Sequence, residues 1–159
     1  MKARLCMPLG VALLLAAGCV SAHMARTPPS SLVQGNLAPC PSTPNCVCSQ
    51  DADPSHHIEP LHFEGPGEAA LAQLLTLVQA EPRTTIVGRQ PGYLRIEYRS
   101  RLFRFTDDVE FLLNAEAGAI EVRSASRVGH SDLGVNRRRV ESLRTAFARA
   151  QAPVSTKAP

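Results

Sequence analysis

The stretch "RSASRVGHSDLGVNRRRVESLR", residues 123–144, gathers side chains suited to holding an anion. Arg123, Arg127, Arg137, Arg138 and Arg139 are interleaved with Ser124, Ser126, Ser131, Asp132 and Asn136. Guanidinium forks bind carboxylate, phosphate or sulfate through paired N–H groups. The end of the stretch reads as a helix from about Arg137 to Ala150, with Val140, Leu143 and Phe147 on its buried stripe and Asn136 at the N-cap. A helix start is partially positive, so three exposed cations there cost on the order of 1–2 kcal/mol unless an anion sits close.

Two arrangements resolve that conflict. In the first, Arg127 and Arg139 converge over the sheet edge beside free amides of the helix start. With Arg123, Ser131, Asp132, Asn136 and Arg137 they form a pocket for an anionic small molecule, a lipid headgroup or an envelope protein. In the second, Asp107, Asp108 and Asp132 neutralise the arginines and fasten the last helix to the sheet as an internal clasp. Catalysis has weaker support. His130, Ser131 and Asp132 are consecutive, and adjacent side chains cannot line up as nucleophile, base and orienter. A hydrolase built on Ser131 or Ser126 needs a histidine from elsewhere, and no nucleophile elbow accompanies either serine. No catalytic residue and no cofactor is assigned.

A second cluster, "CPSTPNCVC", holds Cys40, Cys46 and Cys48. Cys46 and Cys48 are too close in an extended chain to bridge without strain, whereas Cys40 can reach either. Cys40–Cys46 is placed first, as a staple for an arm that has no core of its own. The alternatives are a thiolate metal site completed by His56 or His57, which lacks any standard zinc spacing, and a redox role. No metal is assigned.

The compartment follows from the N-terminus. In "MKARLCMPLGVALLLAAGCVSA", Lys2 and Arg4 precede an apolar run from Leu5 to Gly18, too short for a comfortable bilayer span and suited to an export signal. "LAAGC" resembles a bacterial lipobox, with Cys19 lipidated, although Ala16 stands where leucine is commoner. The rival cut follows Ala22. Either way the expectation is export to the periplasm or cell envelope, with a lipid anchor on the preferred cut. Removing Lys2 and Arg4 lowers the formal charge of +3 to about +1, so no global field calls for nucleic acid. Charge is segregated instead. Residues 27–82 carry six acids and no Lys or Arg, whereas 83–104 carry six Arg and one Glu.

The elements that position these groups are read from periodicity. Residues 1–18 are the signal, 19–36 a flexible tether, 37–150 one domain with a cysteine arm at 37–66, and 151–159 a loose tail. The arm is expected to be irregular, because Pro54, Pro60 and Pro66 block a helix. After Gly67, Ala70, Leu71, Leu74, Leu75 and Val78 fall at helical spacing until Pro82. The pattern then changes to period two. Leu94, Ile96 and Tyr98 face one way and Arg95, Glu97 and Arg99 the other. Val109, Phe111 and Leu113 alternate with polar or outward positions, and "NAEAG" turns the chain into Ile120 and Val122. On the opposite face of that strand come Glu121, Arg123, Ala125 and Arg127. The expected fold is α+β: an antiparallel sheet of about four strands, with N- and C-terminal helices on one face, preceded by the disulfide-linked arm.

"LAPCPSTPNCVCSQ", "FTDDVEFLL" and "IEVRSASRVGHSDLGVNRRRVESLR" together resemble the domain-of-unknown-function 1499 family over about residues 37–147. The resemblance implies small exported or lipid-anchored bacterial proteins, with relatives in plant plastids, and carries over no activity. The matching positions are Asn45, Cys46, Asp107, Asp108, Arg123, Ser124, Ser126, Arg127, Gly129, Ser131, Asp132, Gly134, Asn136 and Arg139. Cys48 departs from a usual serine, which favours Cys40 and Cys46 as the family's pair. His130 stands where tyrosine is frequent.

Overall fold

The computed structural model describes residues 32–152, so the signal segment, Cys19, most of the tether and the tail after Ala152 lie outside the described residues. Gly67–Ala80 forms α1, in which Leu74 and Val78 are fully buried and Leu71 nearly so. Glu81 leaves the helix in an extended conformation ahead of Pro82, which has no N–H to continue the ladder. Val135–Gln151 forms α2, burying Val140, Leu143 and Phe147.

Between the helices run four longer strands, β5 (Thr84–Gln90), β6 (Tyr93–Arg99), β7 (Thr106–Asn114) and β8 (Ala119–Ser126), all antiparallel. Leu94, Ile96, Tyr98, Val109, Phe111, Ile120 and Val122 share one core with the stripes of both helices. The α+β expectation therefore holds, with the helices against one sheet face.

The arm and tether are more ordered than their composition indicated. Leu32–Val33 (β1) and Asn36–Leu37 (β2) pair across a turn in which Gln34 and Gly35 both adopt positive φ, so residues 32–36 of the expected tether are strand and turn. Cys46–Cys48 (β3) and Leu61–His62 (β4) both pair with β8, β3 along its second half and β4 at its start. The sheet consequently has six strands, in the order β3-β8-β7-β6-β5 with β4 also on β8, rather than about four. Prolines exclude helix from the arm, but nothing prevents short pieces of it from satisfying the unpaired groups along the outer edge of β8.

The Cys40–Cys46 disulfide forms, and Cys48 is a buried free thiol. His56 is buried, with its Nδ1 3.0 Å from the Cys46 carbonyl.

Candidate functional site

Period two separates the acids that were expected to act together. Asp107 and Asp108 are consecutive in β7, so their side chains leave opposite faces of the sheet. On the helix face, Arg139 Nη2 donates to Asp107 Oδ2 at 2.6 Å, its Nη1 donates to Ser124 Oγ and Asn136 Oδ1, and its guanidinium lies 4.6 Å from the centre of the Tyr98 ring. On the second face, Arg127 donates to Asp108 through Nε at 2.7 Å and to Glu97 through Nη2 at 2.5 Å. Arg95 reaches Asp108 from the other side at 2.9 Å. The expected convergence of Arg127 and Arg139 does not form, because the sheet lies between their partners.

The second face is a buried network of charges. Glu97 and Asp108 stand directly opposite each other on neighbouring strands, a like-charge pairing that needs a cation between them. Arg127 is that cation. Burial pushes the Asp108 carboxyl up, but hydrogen bonds from Arg127 and Arg95 outweigh it and hold the group below the usual carboxylate range. The bond to Asp108 does most to raise Arg127 in turn, against its burial and with help from Glu97. Further along, Arg123 lies 3.6 Å from Glu110, which also accepts the Tyr93 hydroxyl.

The helix start contains its own anion. Asp132 accepts from the backbone amides of Gly134 at 2.8 Å and Asn136 at 2.6 Å, and its carbonyl accepts from Val135. Those amides are therefore not free. Leu133 and Gly134 both have positive φ, which brings the helix start two residues earlier than expected. Asn136 is accordingly not the N-cap. It lies inside the first turn, 1 % exposed, and its amide is fully used: Nδ2 donates to the Asn45 carbonyl and Ser126 Oγ, while Oδ1 accepts from Ser124 and Arg139. Asn45 Nδ2 in turn donates to the Gly129 carbonyl. This polar hub joins β3, the end of β8, the following loop and α2.

Each helical residue turns the side-chain direction by roughly 100°, so three adjacent arginines serve three partners. Arg137 grips the arm through the carbonyls of His57 and Ser55, Arg138 bonds the Leu133 carbonyl, and Arg139 holds the sheet. One helical face further on, Arg144 adds the carbonyls of Glu59 and Pro60.

One open hollow of about 470 Å³ remains beside this clasp, between the end of α1, the starts of β5 and α2 and the end of β6. Arg83, Arg99, Arg138 and Arg139 line it with Glu81, Tyr98, Asp107 and Ser142. No carboxylate lies within ion-pair distance of Arg83, Arg99 or Arg138 among the described residues. The Tyr98 hydroxyl is buried and makes no hydrogen bond of acceptable geometry, although the Glu81 carboxyl is its near neighbour. Burial raises both groups, and for Tyr98 the adjacent Glu81 charge adds to the rise.

Of the predicted site residues, Asn136 and Arg139 join one cluster, Arg123 and Arg127 another on the far face, and Asp132 and Arg137 serve the helix start and the arm. Ser131 is exposed, with its Oγ accepting from the Leu133 amide, and Ser126 Oγ accepts from Asn136. Among the described residues, neither hydroxyl is bonded to a histidine or a carboxylate. Sequence reasoning missed Arg95, Glu97 and Glu110 as buried partners, because alternation separates two faces without saying which of them is covered. It also missed Tyr98 and Glu81 as walls of a hollow, and no local signal marks them.

The family model described as "Protein of unknown function (DUF1499)" matches residues 36–147. No curated protein and no solved structure matches the chain.

Proposed function

The chain belongs to the DUF1499 family of proteins of unknown function, and from that premise we propose that it serves as an accessory or binding module of the cell envelope for an anionic partner. The partner carries phosphate or carboxylate, and it enters the hollow bounded by Arg83, Arg99 and Arg138. The observation behind this reading is a division among the arginines. Arg95, Arg123, Arg127, Arg139 and Arg144 have carboxylate partners, whereas Arg83, Arg99 and Arg138 line one hollow without any among the described residues. The Tyr98 hydroxyl, with the Glu81 carboxyl as its near neighbour, adds a donor there. Asp107 is neutralised by Arg139. Glu81 is the acid that an incoming anion must tolerate, and its raised titration lets it give up its charge more readily. The N-terminal residues, read as an export signal with Cys19 as the lipidated cysteine, support a location at a membrane of the periplasm or envelope.

The test is a titration of the full chain with inorganic phosphate and with glycerol 3-phosphate, followed by amide chemical shifts at low and high salt. Salt-sensitive shifts at Arg83, Tyr98 and Arg138, lost in Arg138→Ala with the fold intact, support the module. A purely structural protein is the second reading, favoured by the saturation of Arg127 and Arg139, and it expects no response to either anion. Ester hydrolysis abolished by Ser131→Ala would replace both with an enzyme.

A further inference from the structure

The β6–β7 hairpin ends in "SRLFRF", residues 100–105, and no part of the core explains this segment. Leu102 is 79 % exposed, Phe103 69 % and Phe105 51 %, with the two phenyl rings stacked at 5.5 Å. The tip is a defined turn: the Ser100 amide donates to the Phe105 carbonyl, and the Phe105 amide donates to Ser100 Oγ, both at 2.9 Å. Arg104 is held at positive φ, a backbone state that bulky residues rarely adopt without a reason. Three bulky apolar side chains shown to water together mark a contact surface rather than scattered surface residues.

Charge identifies the occupant. Arg99, Arg101 and Arg104 alternate with the apolar residues, all are exposed, and none has a carboxylate within ion-pair distance among the described residues. No acid occurs between Glu97 and Asp107, and those two are engaged by Arg127 and Arg139. More exposed apolar groups belong to the same end of the sheet. Val128 follows Arg127, whose amide bonds the Thr106 carbonyl at the base of the hairpin, and Val135 lines the hollow beside Ser100. Aromatic and aliphatic side chains ringed by arginine are the composition that enters the headgroup layer of an anionic bilayer, with the rings at the acyl boundary and the guanidinium groups at the phosphates.

We propose that the tip of the β6–β7 hairpin, Leu102, Phe103 and Phe105 with Arg101 and Arg104, docks on the surface of an anionic phospholipid membrane. It adjoins the hollow of the proposed function but needs no ligand there. The chain contains no tryptophan, so Phe103→Trp gives a single tryptophan, at the tip, which is excited selectively over the two tyrosines of the full-length protein. With vesicles of mixed phosphatidylglycerol and phosphatidylcholine, the emission shifts to the blue and is quenched by brominated acyl chains. Pure phosphatidylcholine gives a much weaker response. Each basic residue near an anionic surface contributes a roughly fivefold factor in partitioning, so Arg101→Ala with Arg104→Ala weakens the response roughly 25-fold. Leu102→Trp repeats the measurement, so that one badly tolerated substitution does not decide it.

Because quenching reports on the tip itself, an N-terminal anchor holding the protein on the vesicle does not produce it. Unchanged emission with both tryptophan variants overturns the proposal. So does a blue shift that grows with protein concentration in the absence of lipid, since the tip would then face a second copy. Quenching that persists in Arg138→Ala while the phosphate response disappears separates this surface from the hollow.

Discussion

Asp107 and Asp108, adjacent in β7, are held by arginines on opposite faces of the sheet: Arg139 on the helix side at 2.6 Å, Arg127 on the other at 2.7 Å. The arginine-rich segment thus works as two independent clasps, one at each face.

Independence is measurable by double-mutant cycles. Arg139→Ala leaves Asp107 buried without its partner and is expected to cost about 3–5 kcal/mol. Arg127→Ala removes the cation between Glu97 and Asp108 but leaves Asp108 its bond from Arg95, so it is expected to cost less. The cycle of Asp107→Asn with Arg139→Ala shows strong coupling, whereas Asp107→Asn with Arg127→Ala is nearly additive. Chemical denaturation of the variants checks this, and equal coupling in both cycles contradicts the two-face arrangement.

Asn136 should resist even the conservative change to aspartate. Its Nδ2 donates to Asn45 and Ser126, while its Oδ1 accepts from Ser124 and Arg139. A carboxylate keeps the acceptor side and loses both donors. Asn136→Asp is therefore expected to cost about 2–3 kcal/mol, with accelerated amide exchange in the loop from Gly129 to Gly134. Asn136→Ser, at a true N-cap, would be nearly neutral, so a large loss there separates the hub from a cap.

The features legible in the sequence were those with a local period. Leu71, Leu74 and Val78 announce α1, and the alternation of Leu94, Ile96 and Tyr98 announces β6, because each pattern needs only its own element. The same alternation already implies that Asp107 and Asp108 part company, but which arginine each meets depends on the register that sets Glu97 opposite Asp108. Register is a long-range property. The Asn136 cap failed for a different reason: the left-handed pair Leu133–Gly134 begins the helix early and passes the capping role to Asp132. The hollow at Tyr98 combines residues from the turn after α1, from β6 and β7 and from α2, so no window of sequence contains it.

Stability should respond to pH in opposite senses through two carboxyls. Asp108 titrates below its ordinary value, so the unfolded chain binds more protons between the folded and unfolded values. Its contribution is complete above the unfolded value of 3.8 and is lost as pH falls through the lower folded value. Glu81 is raised by burial, against weaker lowering from Tyr98 and Arg139. Its contribution is present below the unfolded value of 4.5 and is lost as pH rises through the folded value. Glu81→Gln is expected to raise the melting temperature at neutral pH more than in acid, modestly because the group is only half-buried. Asp108→Asn should lower it at neutral pH and flatten the acid limb. Thermal melts across pH check both signs, and a Glu81→Gln benefit confined to acid contradicts the assignment.

The disulfide offers the sharpest separation of arm from sheet. Cys40–Cys46 closes a loop with a sequence separation of 6, for which restriction of the unfolded chain gives about 2 kcal/mol. The native state has more at stake than that loop. Cys46 begins β3 opposite Ala125, and its neighbour Asn45 supplies the carbonyl that Asn136 requires. Cys40→Ser with Cys46→Ser should lower the melting temperature by roughly 5–10 °C and raise amide exchange at Asn45 and Ser126, leaving β5 and β6 protected. Reducing agent should reproduce the effect in the native protein and in Cys48→Ser, because the Cys48 thiol is buried outside the bond. An unchanged melt under reduction, with loss of the bond verified by mass, would mean that ladder pairing along β8 holds the arm without its staple.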